Sequence, residues 1–152
     1  DSMIFVSSKD FLQIPIKDYI ISADKVAHVQ LGNNAEHALL VLTKTGYSSI
    51  PVLDVKYRLQ GLVSTQQITD EILGLEHIEY ERLPDLKVDQ IMKKDIASIH
   101  VNEKFQKGLD LLANNPYVCV VDDEGTFIGI LTRRVILKQM KKYLYQSQEP
   151  QE

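Results

Sequence analysis

The chain has 152 residues, of which 44% are hydrophobic and 25% charged, and its formal net charge at pH 7 is −4. This length suffices for a real core, and the proportions are ordinary for a globular protein. The acidic balance argues against a general DNA binder, and no apolar run approaches the roughly 18 residues of a membrane span. With one cysteine, no disulfide framework and no export signal, we expect a cytoplasmic protein that binds neither DNA nor membranes.

The predicted elements, taken in chain order, form two copies of one pattern. An apolar N-terminal lead-in (1–15) precedes the first copy (16–74), which predicts a strand, a helix, two strands and a closing helix. A linker (75–87) leads to the second copy (88–144), in which the same order recurs. The polar residues 145–152 are expected to form a disordered tail.

The copies correspond segment by segment. The first strand, KVAHVQL at 25–31, matches IASIHV at 96–101, and apolar residues at helical spacing follow each. The paired strands SIPVLD and LQGLVS match VCVVDD and FIGILT, and the DDEG between the latter two is typical of a hairpin turn. Cys119 lies inside the apolar run YVCVV, which predicts a buried thiol rather than a reactive one.

Residues 129–134, GILTRR, lie where the last predicted strand meets the last predicted helix. A helix start carries free N–H groups and a positive dipole end, so two arginines are disfavoured there unless an anion lies nearby. Two interpretations stay open: phosphate ligands, or solvated residues like the lysines farther along the helix. If Arg133 and Arg134 bind phosphate, replacing either should spare the fold. Thr132 is a suitable N-cap, and its hydroxyl can contact a ligand as well.

The residues that usually carry catalysis or metal binding show no matching pattern. The four histidines lack metal-ligand spacing, and no Walker loop, nucleophile elbow or H-E-x-x-H motif occurs. We therefore expect no metal, no cofactor and no enzyme activity.

The repeated order, with its G-Y-x-x-I-P-V-x-D and G-h-h-[ST] elements (h apolar), resembles the cystathionine-β-synthase (CBS) domain. Two in tandem resemble a Bateman module, and the resemblance covers nearly the whole chain. It implies an α/β (α+β) fold in which each repeat is a small three-stranded sheet with two helices. CBS pairs commonly bind adenosine nucleotides and regulate other proteins without chemistry of their own.

Residues 23–54 and the TRR at 132–134 are similar to a narrower group, the stand-alone CBS-pair proteins of Gram-positive bacteria that bind cyclic di-AMP. Arginine and lysine suit its two phosphates, and a small residue such as Ala27 lets a flat base approach closely. Alternatives stay open, since the strand residues can simply be core, Lys25 a surface residue, and Tyr47 a core cap rather than a base-stacking ring. The resemblance assigns ligand contacts to Lys25, Val26, Ala27, Tyr47, Ser48, Ser49, Ile50, Pro51, Thr132, Arg133 and Arg134.

One departure from the wider family bears on the ligand. Nucleotide-binding CBS copies often carry an acidic residue three positions after the Ser/Thr, where it suits ribose hydroxyls, and this chain has Gln67 and Val135 there. The departure disfavours an AMP/ATP energy sensor, which remains the alternative function.

The resemblance also implies partners. A sensor without an output domain must signal by binding another protein, with an affinity that depends on ligand. By resemblance, the ligand-free form binds a Rel-type alarmone synthetase/hydrolase, with pyruvate carboxylase as a second candidate partner. CBS pairs also tend to form homodimers through their helices.

Overall fold

The computed structural model describes residues 8–148, which fold into two compact units. The first-repeat unit comprises residues 24–96 and 123–127. The second-repeat unit comprises residues 8–23, 97–122 and 128–148 of the described chain. Each unit therefore contains residues that belong, by position in the sequence, to the other repeat. Residues 1–7 of the predicted lead-in fall outside the described residues.

Six α-helices and seven strands lie within residues 8–148. The helices are α1 (Ser8–Leu12), α2 (Ala35–Thr45), α3 (Thr65–Ile72), α4 (Val88–Ile91), α5 (Phe105–Leu112) and α6 (Arg133–Gln148). The strands are β1 (Ile21–Ser22), β2 (Val29–Gln30), β3 (Ser49–Leu53), β4 (Leu59–Ser64), β5 (Ser98–His100), β6 (Tyr117–Val121) and β7 (Phe127–Thr132). Short 3-10 helices span Ile16–Asp18, Ala23–Lys25 and Tyr80–Asp85. None of the helices between residues 8 and 148 has the length and apolar character needed to cross a membrane.

The first-repeat unit has the predicted three-stranded sheet, in the order β2-β3-β4. β2 runs parallel to β3, and β3 antiparallel to β4. Because β3 is the central strand, it is buried from Ile50 onward, and its side chains share one core with the apolar faces of α2 and α3. Burying each such aliphatic side chain contributes about 1.5–3 kcal/mol, so this core holds the sheet against its helices.

The second-repeat unit has a four-stranded sheet, in the order β1-β7-β6-β5, where three strands were predicted. The extra strand is β1, which pairs antiparallel with β7. A strand of two residues has too few positions to show alternation, so sequence periodicity does not reveal it. The core includes Phe11 of the lead-in, whose ring lies 5.3 Å from that of Phe105 and 5.6 Å from that of Tyr143.

The leading segment of each repeat packs into the unit of the other repeat, and the two exchanges are equivalent. The N–H of Ile16 donates to the carbonyl of Glu103 (3.1 Å), and the N–H of Val88 donates to the carbonyl of Asn33 (2.9 Å). Ile16 and Val88 are both fully buried. Each leading segment thus buries an apolar side chain in the other repeat's unit. Each also donates a hydrogen bond to the residue two positions before a helix, α5 for Ile16 and α2 for Val88.

A motif glycine permits each exchange. A Cβ on Gly129 would overlap the carbonyl oxygen of Ile21, and one on Gly61 would lie 2.6 Å from the carbonyl oxygen of Lys93. These neighbours are backbone atoms of the exchanged segments, which cannot turn aside as a side chain can. The glycine of the G-h-h-[ST] element is therefore required by backbone packing in both repeats.

Two other segments differ from the sequence-based expectations, and the linker, for which no secondary structure was predicted, is folded. The predicted first strand at 25–31 narrows to Val29–Gln30, because β2 pairs only with Val52 and Leu53. The linker is folded, since it forms the 3-10 helix Tyr80–Asp85 and buries Leu83 in the first core. The expected disordered tail begins too early, because α6 continues to Gln148. No proline or glycine interrupts the helix before that residue; residues 149–152 lie outside the described residues.

Cys119 is fully buried, as the sequence predicted. Burial disfavours the thiolate and raises the pKa of the thiol to about 12. At neutral pH the side chain is therefore a protonated, packed group rather than a nucleophile.

The close approach at the motif glycines gives a direct stability prediction. Gly129→Ala and Gly61→Ala should each lower the free energy of unfolding by about 1–3 kcal/mol, because the added methyl group meets backbone. Gly32→Ala is the matched control, since a Cβ there meets nothing within 4 Å. Urea denaturation measures all three, and a Gly129→Ala variant as stable as Gly32→Ala would contradict the packing described.

Candidate functional site

Residues 25–27 lie in the first-repeat unit and connect the 3-10 helix Ala23–Lys25 to β2. Lys25 ends the turn and is exposed, Val26 is 7% exposed, and Ala27 packs half-buried against the first core. Of these three side chains, only that of Lys25 is both long and exposed, so only it can extend towards a ligand. Val26 can contribute mainly its backbone groups, and Ala27 a small surface.

The second predicted segment, residues 47–51, lies in the same unit and joins α2 to β3. Gly46 ends α2 in the left-handed conformation (φ 76°), which turns the chain so that Tyr47 and Ser48 are exposed. Ser49 is half-buried, whereas Ile50 and Pro51 are buried. Pro51 sits inside the central strand rather than at its start or at an edge. This position is tolerated because β2 begins to pair only at Val52, so the missing N–H leaves no β2 partner unpaired.

Thr132 lies in the second-repeat unit and caps α6. The N–H of Val135, in the first turn, donates to the Thr132 hydroxyl oxygen at 3.2 Å. The predicted capping role is thus confirmed, and the hydroxyl hydrogen remains able to donate elsewhere.

Arg133 is the first residue of α6, and its side chain reaches back to the end of α5. Its Nε donates to the carbonyl of Leu112 at 2.7 Å and its Nη2 to that of Ala113 at 3.3 Å. The last carbonyls of a helix lack intrahelical partners and carry negative partial charge, so a guanidinium there is favourable. In the first repeat, Gly46 ends the equivalent helix α2; α5 has no glycine there, and Arg133 does the capping instead.

Arg134, by contrast, is exposed, and its side chain has no hydrogen-bond or ion-pair partner within the described part of the chain. The same holds for Lys25 among residues 8–148. Arg134 lies in the first turn of α6, where the helix dipole makes an unpaired cation unfavourable. The two adjacent arginines therefore differ in structural role, which their sequence positions did not reveal.

The structure groups the predicted residues in two sets. Residues 25–27 and 47–51 belong to the first-repeat unit, and residues 132–134 to the second-repeat unit. A contact that sequence reasoning missed bears on the first set: His28 Nδ1 lies 3.1 Å from the carbonyl oxygen of Val26, and Tyr57 contacts the same imidazole. No sequence motif joins residues 28 and 57, so only the fold reveals this pair.

Gln67 and Val135 lie at the two positions where nucleotide-binding CBS copies often carry an acidic residue. The Gln67 side chain accepts from the Ser64 N–H (3.0 Å), while the Ser64 hydroxyl accepts from the Gln67 N–H (3.0 Å). This capping box at the start of α3 engages the side-chain amide oxygen of Gln67. Val135 has an aliphatic side chain, and its backbone N–H donates to the Thr132 hydroxyl. Neither residue offers the carboxylate that suits ribose hydroxyls.

The different contacts of the two arginines revise the expectation that replacing either would spare the fold. Arg133→Ala should lower the free energy of unfolding by about 1 kcal/mol, since it leaves the α5 carbonyls without this donor. Arg134→Ala, the matched control one residue away, should change it by less than about 0.5 kcal/mol. Thermal melting of the two ligand-free variants checks this order, and equal melting temperatures would remove the capping role from Arg133.

Comparison with known proteins agrees with the repeated architecture. The family model for the CBS domain matches residues 16–74 and 88–142. A curated relative, the cyclic di-AMP receptor B of Bacillus subtilis, is 51% identical over 142 residues, which cover 93% of this chain and 97% of the relative.

Two solved structures show the same fold. CbpB of Listeria monocytogenes, crystallised in complex with c-di-AMP, has 56% sequence identity and a TM-score of 0.80, covering 86% of this chain and 97% of that one. A CBS domain-containing protein of unknown function from Bacillus anthracis has 54% identity and a TM-score of 0.83, covering 90% and 99%. With both repeats matched and relatives aligned over nearly their full length, the chain belongs to the CBS-domain family as a tandem CBS pair.

Proposed function

We propose that this protein is a cyclic di-AMP sensor, which signals by ligand-controlled binding to other proteins and performs no catalysis. The observation that carries the proposal is Arg134, an exposed guanidinium without a partner in the described chain, in the first turn of α6. A phosphate there would gain charge-assisted hydrogen bonds and would offset the unfavourable helix-dipole interaction. Relatives named for cyclic di-AMP, at 51% and 56% identity, support this choice of anion.

The proposed ligand contacts follow the exposure of each residue. Arg134 and Lys25 bind phosphate through their side chains, and Thr132 can donate its hydroxyl hydrogen while it caps α6. Arg133 keeps its hold on α5 and offers only its remaining guanidinium hydrogens. The adenine contacts fall to small, flat or backbone surfaces in the first-repeat unit, namely Val26, Ala27, Tyr47, Ser48, Ser49, Ile50 and Pro51.

The alternative, an AMP/ATP energy sensor, is less well supported. Ribose hydroxyls are best read by a carboxylate, and the two positions that often supply one hold Gln67 and Val135. Gln67 already uses its side-chain oxygen within the capping box. A ligand recognised mainly through its phosphates suits these residues better.

Calorimetric titration tests the proposal. Cyclic di-AMP should bind much more tightly than AMP or ATP, and Arg134→Ala should weaken it by roughly 10- to 100-fold, the equivalent of about 1.5–3 kcal/mol for hydrogen bonds to a charged group. Arg134→Lys should recover part of the loss, since it keeps the charge without the planar fork. Tighter binding of AMP or ATP would instead establish the energy-sensor alternative.

Ala27→Leu tests the base contact in the same titration. A larger side chain at a half-buried contact position should block a flat ligand while the protein still folds. Unaltered affinity for cyclic di-AMP, together with an unaltered melting temperature, would place Ala27 outside the ligand contacts.

The proposal extends to partners and location. In the cytoplasm, the ligand-free protein would bind a Rel-type alarmone synthetase/hydrolase, with pyruvate carboxylase as a further candidate. A homodimer through the helices is supported by an apolar groove of about 270 Å³ beside α6 and by Leu137, which lines that groove and is 60% exposed. Failure of the ligand-free protein to retain a Rel-type enzyme would refute the partner, and retention that cyclic di-AMP does not alter would refute the ligand control. A single-chain mass in sedimentation would refute the dimer.

A further inference from the structure

Tyr57 occupies an unusual position in the turn between β3 and β4. It is the one non-glycine residue with positive φ (66°) in the described chain, a conformation that a bulky side chain adopts only when its surroundings impose it. Asp54 supplies much of that constraint. Its carboxylate accepts from the N–H groups of Lys56 and Arg58 (both 2.9 Å) and from Arg58 Nε (2.8 Å).

The side chain of Tyr57 is linked to the proposed ligand segment through His28. The Tyr57 hydroxyl lies 3.3 Å from His28 Nε2, and the two rings meet edge to face with centroids 5.2 Å apart. His28 Nδ1 lies 3.1 Å from the carbonyl oxygen of Val26. A carbonyl only accepts, so Nδ1 carries the proton, and in a neutral ring Nε2 then accepts from the tyrosine hydroxyl.

The backbone of Tyr57 is linked to a second segment. Its carbonyl accepts from the N–H of Phe127 at 2.8 Å, and the neighbouring Leu59 N–H donates to the carbonyl of Gly125 at 3.0 Å. Phe127 is the first residue of β7, the strand that ends at Thr132. Tyr57 is therefore bonded to two separate segments of the first-repeat unit, residues 26–28 and residues 123–127.

We propose that Tyr57 and His28 are positioning residues for ligand binding, an inference that rests on the proposed function. Val26, Ala27 and His28 lie outside any helix or strand, so no backbone ladder fixes their conformation. The Tyr57–His28–Val26 chain holds the Val26 carbonyl and thereby orders this segment before ligand arrives. Ordering a contact segment in advance reduces the entropy lost on binding and so raises affinity.

The test is Tyr57→Phe, which removes the hydroxyl and keeps the ring. Cyclic di-AMP should bind about 3- to 10-fold more weakly, the effect of losing one neutral hydrogen bond. The ¹⁵N chemical shifts of the His28 ring should also change, because Nε2 loses the Tyr57 hydroxyl as its hydrogen-bond donor. Tyr80→Phe, at an exposed tyrosine outside the proposed contacts, is the matched control and should leave both readings unchanged.

A double-mutant cycle gives an independent reading. His28→Asn keeps a donor near the Nδ1 position for the Val26 carbonyl and loses the link to Tyr57. If the residues act as one chain, the Tyr57→Phe/His28→Asn variant should bind no more weakly than His28→Asn alone. Fully additive losses, or unchanged affinity in Tyr57→Phe, would overturn the positioning role. If the unaltered protein fails to bind cyclic di-AMP, the proposed function itself fails, and this inference with it.

Discussion

The contact between backbones at Gly61 and Gly129 is the constraint from which the architecture follows. Each glycine lets the leading segment of one repeat lie against the last strand of the other repeat's unit, at a separation that no side chain would allow. This contact accompanies the burial of Ile16 and Val88 in cores built mainly from the other repeat. Neither repeat therefore completes its core alone, and the sequence repeat and the folded unit are different divisions of the chain.

The two repeats share this architecture but have diverged where their helices end. The first repeat ends α2 with a left-handed glycine, and the second ends α5 with the guanidinium of Arg133. This capping role accounts for one arginine of the pair and leaves the other, Arg134, as a cation without a partner in the described chain. The divergence thus separates a structural charge from a charge available to a ligand, within a single helical turn.

Much of the fold could be predicted because the same pattern of apolar and turn residues occurs in two copies along the sequence. The order of strands and helices, the buried thiol and the Thr132 cap all follow from local pattern, and local pattern is what a sequence displays. The fourth strand, the folded linker and the Arg133 cap depend on partners that are distant in sequence: β1 pairs with β7, and Arg133 reaches carbonyls 20 and 21 residues earlier. Charge and position alone assigned both arginines the same role, because the acceptors of Arg133 are backbone atoms that every residue possesses.

Amide hydrogen exchange with and without cyclic di-AMP most directly tests the central proposal, that this CBS pair binds the ligand through residues 25–27, 47–51 and 132–134. The account predicts slower exchange on ligand addition at residues 25–28 and 132–135, the segments that carry Lys25 and Arg134. Protection confined to other parts of the chain, or no change at saturating ligand, would contradict it.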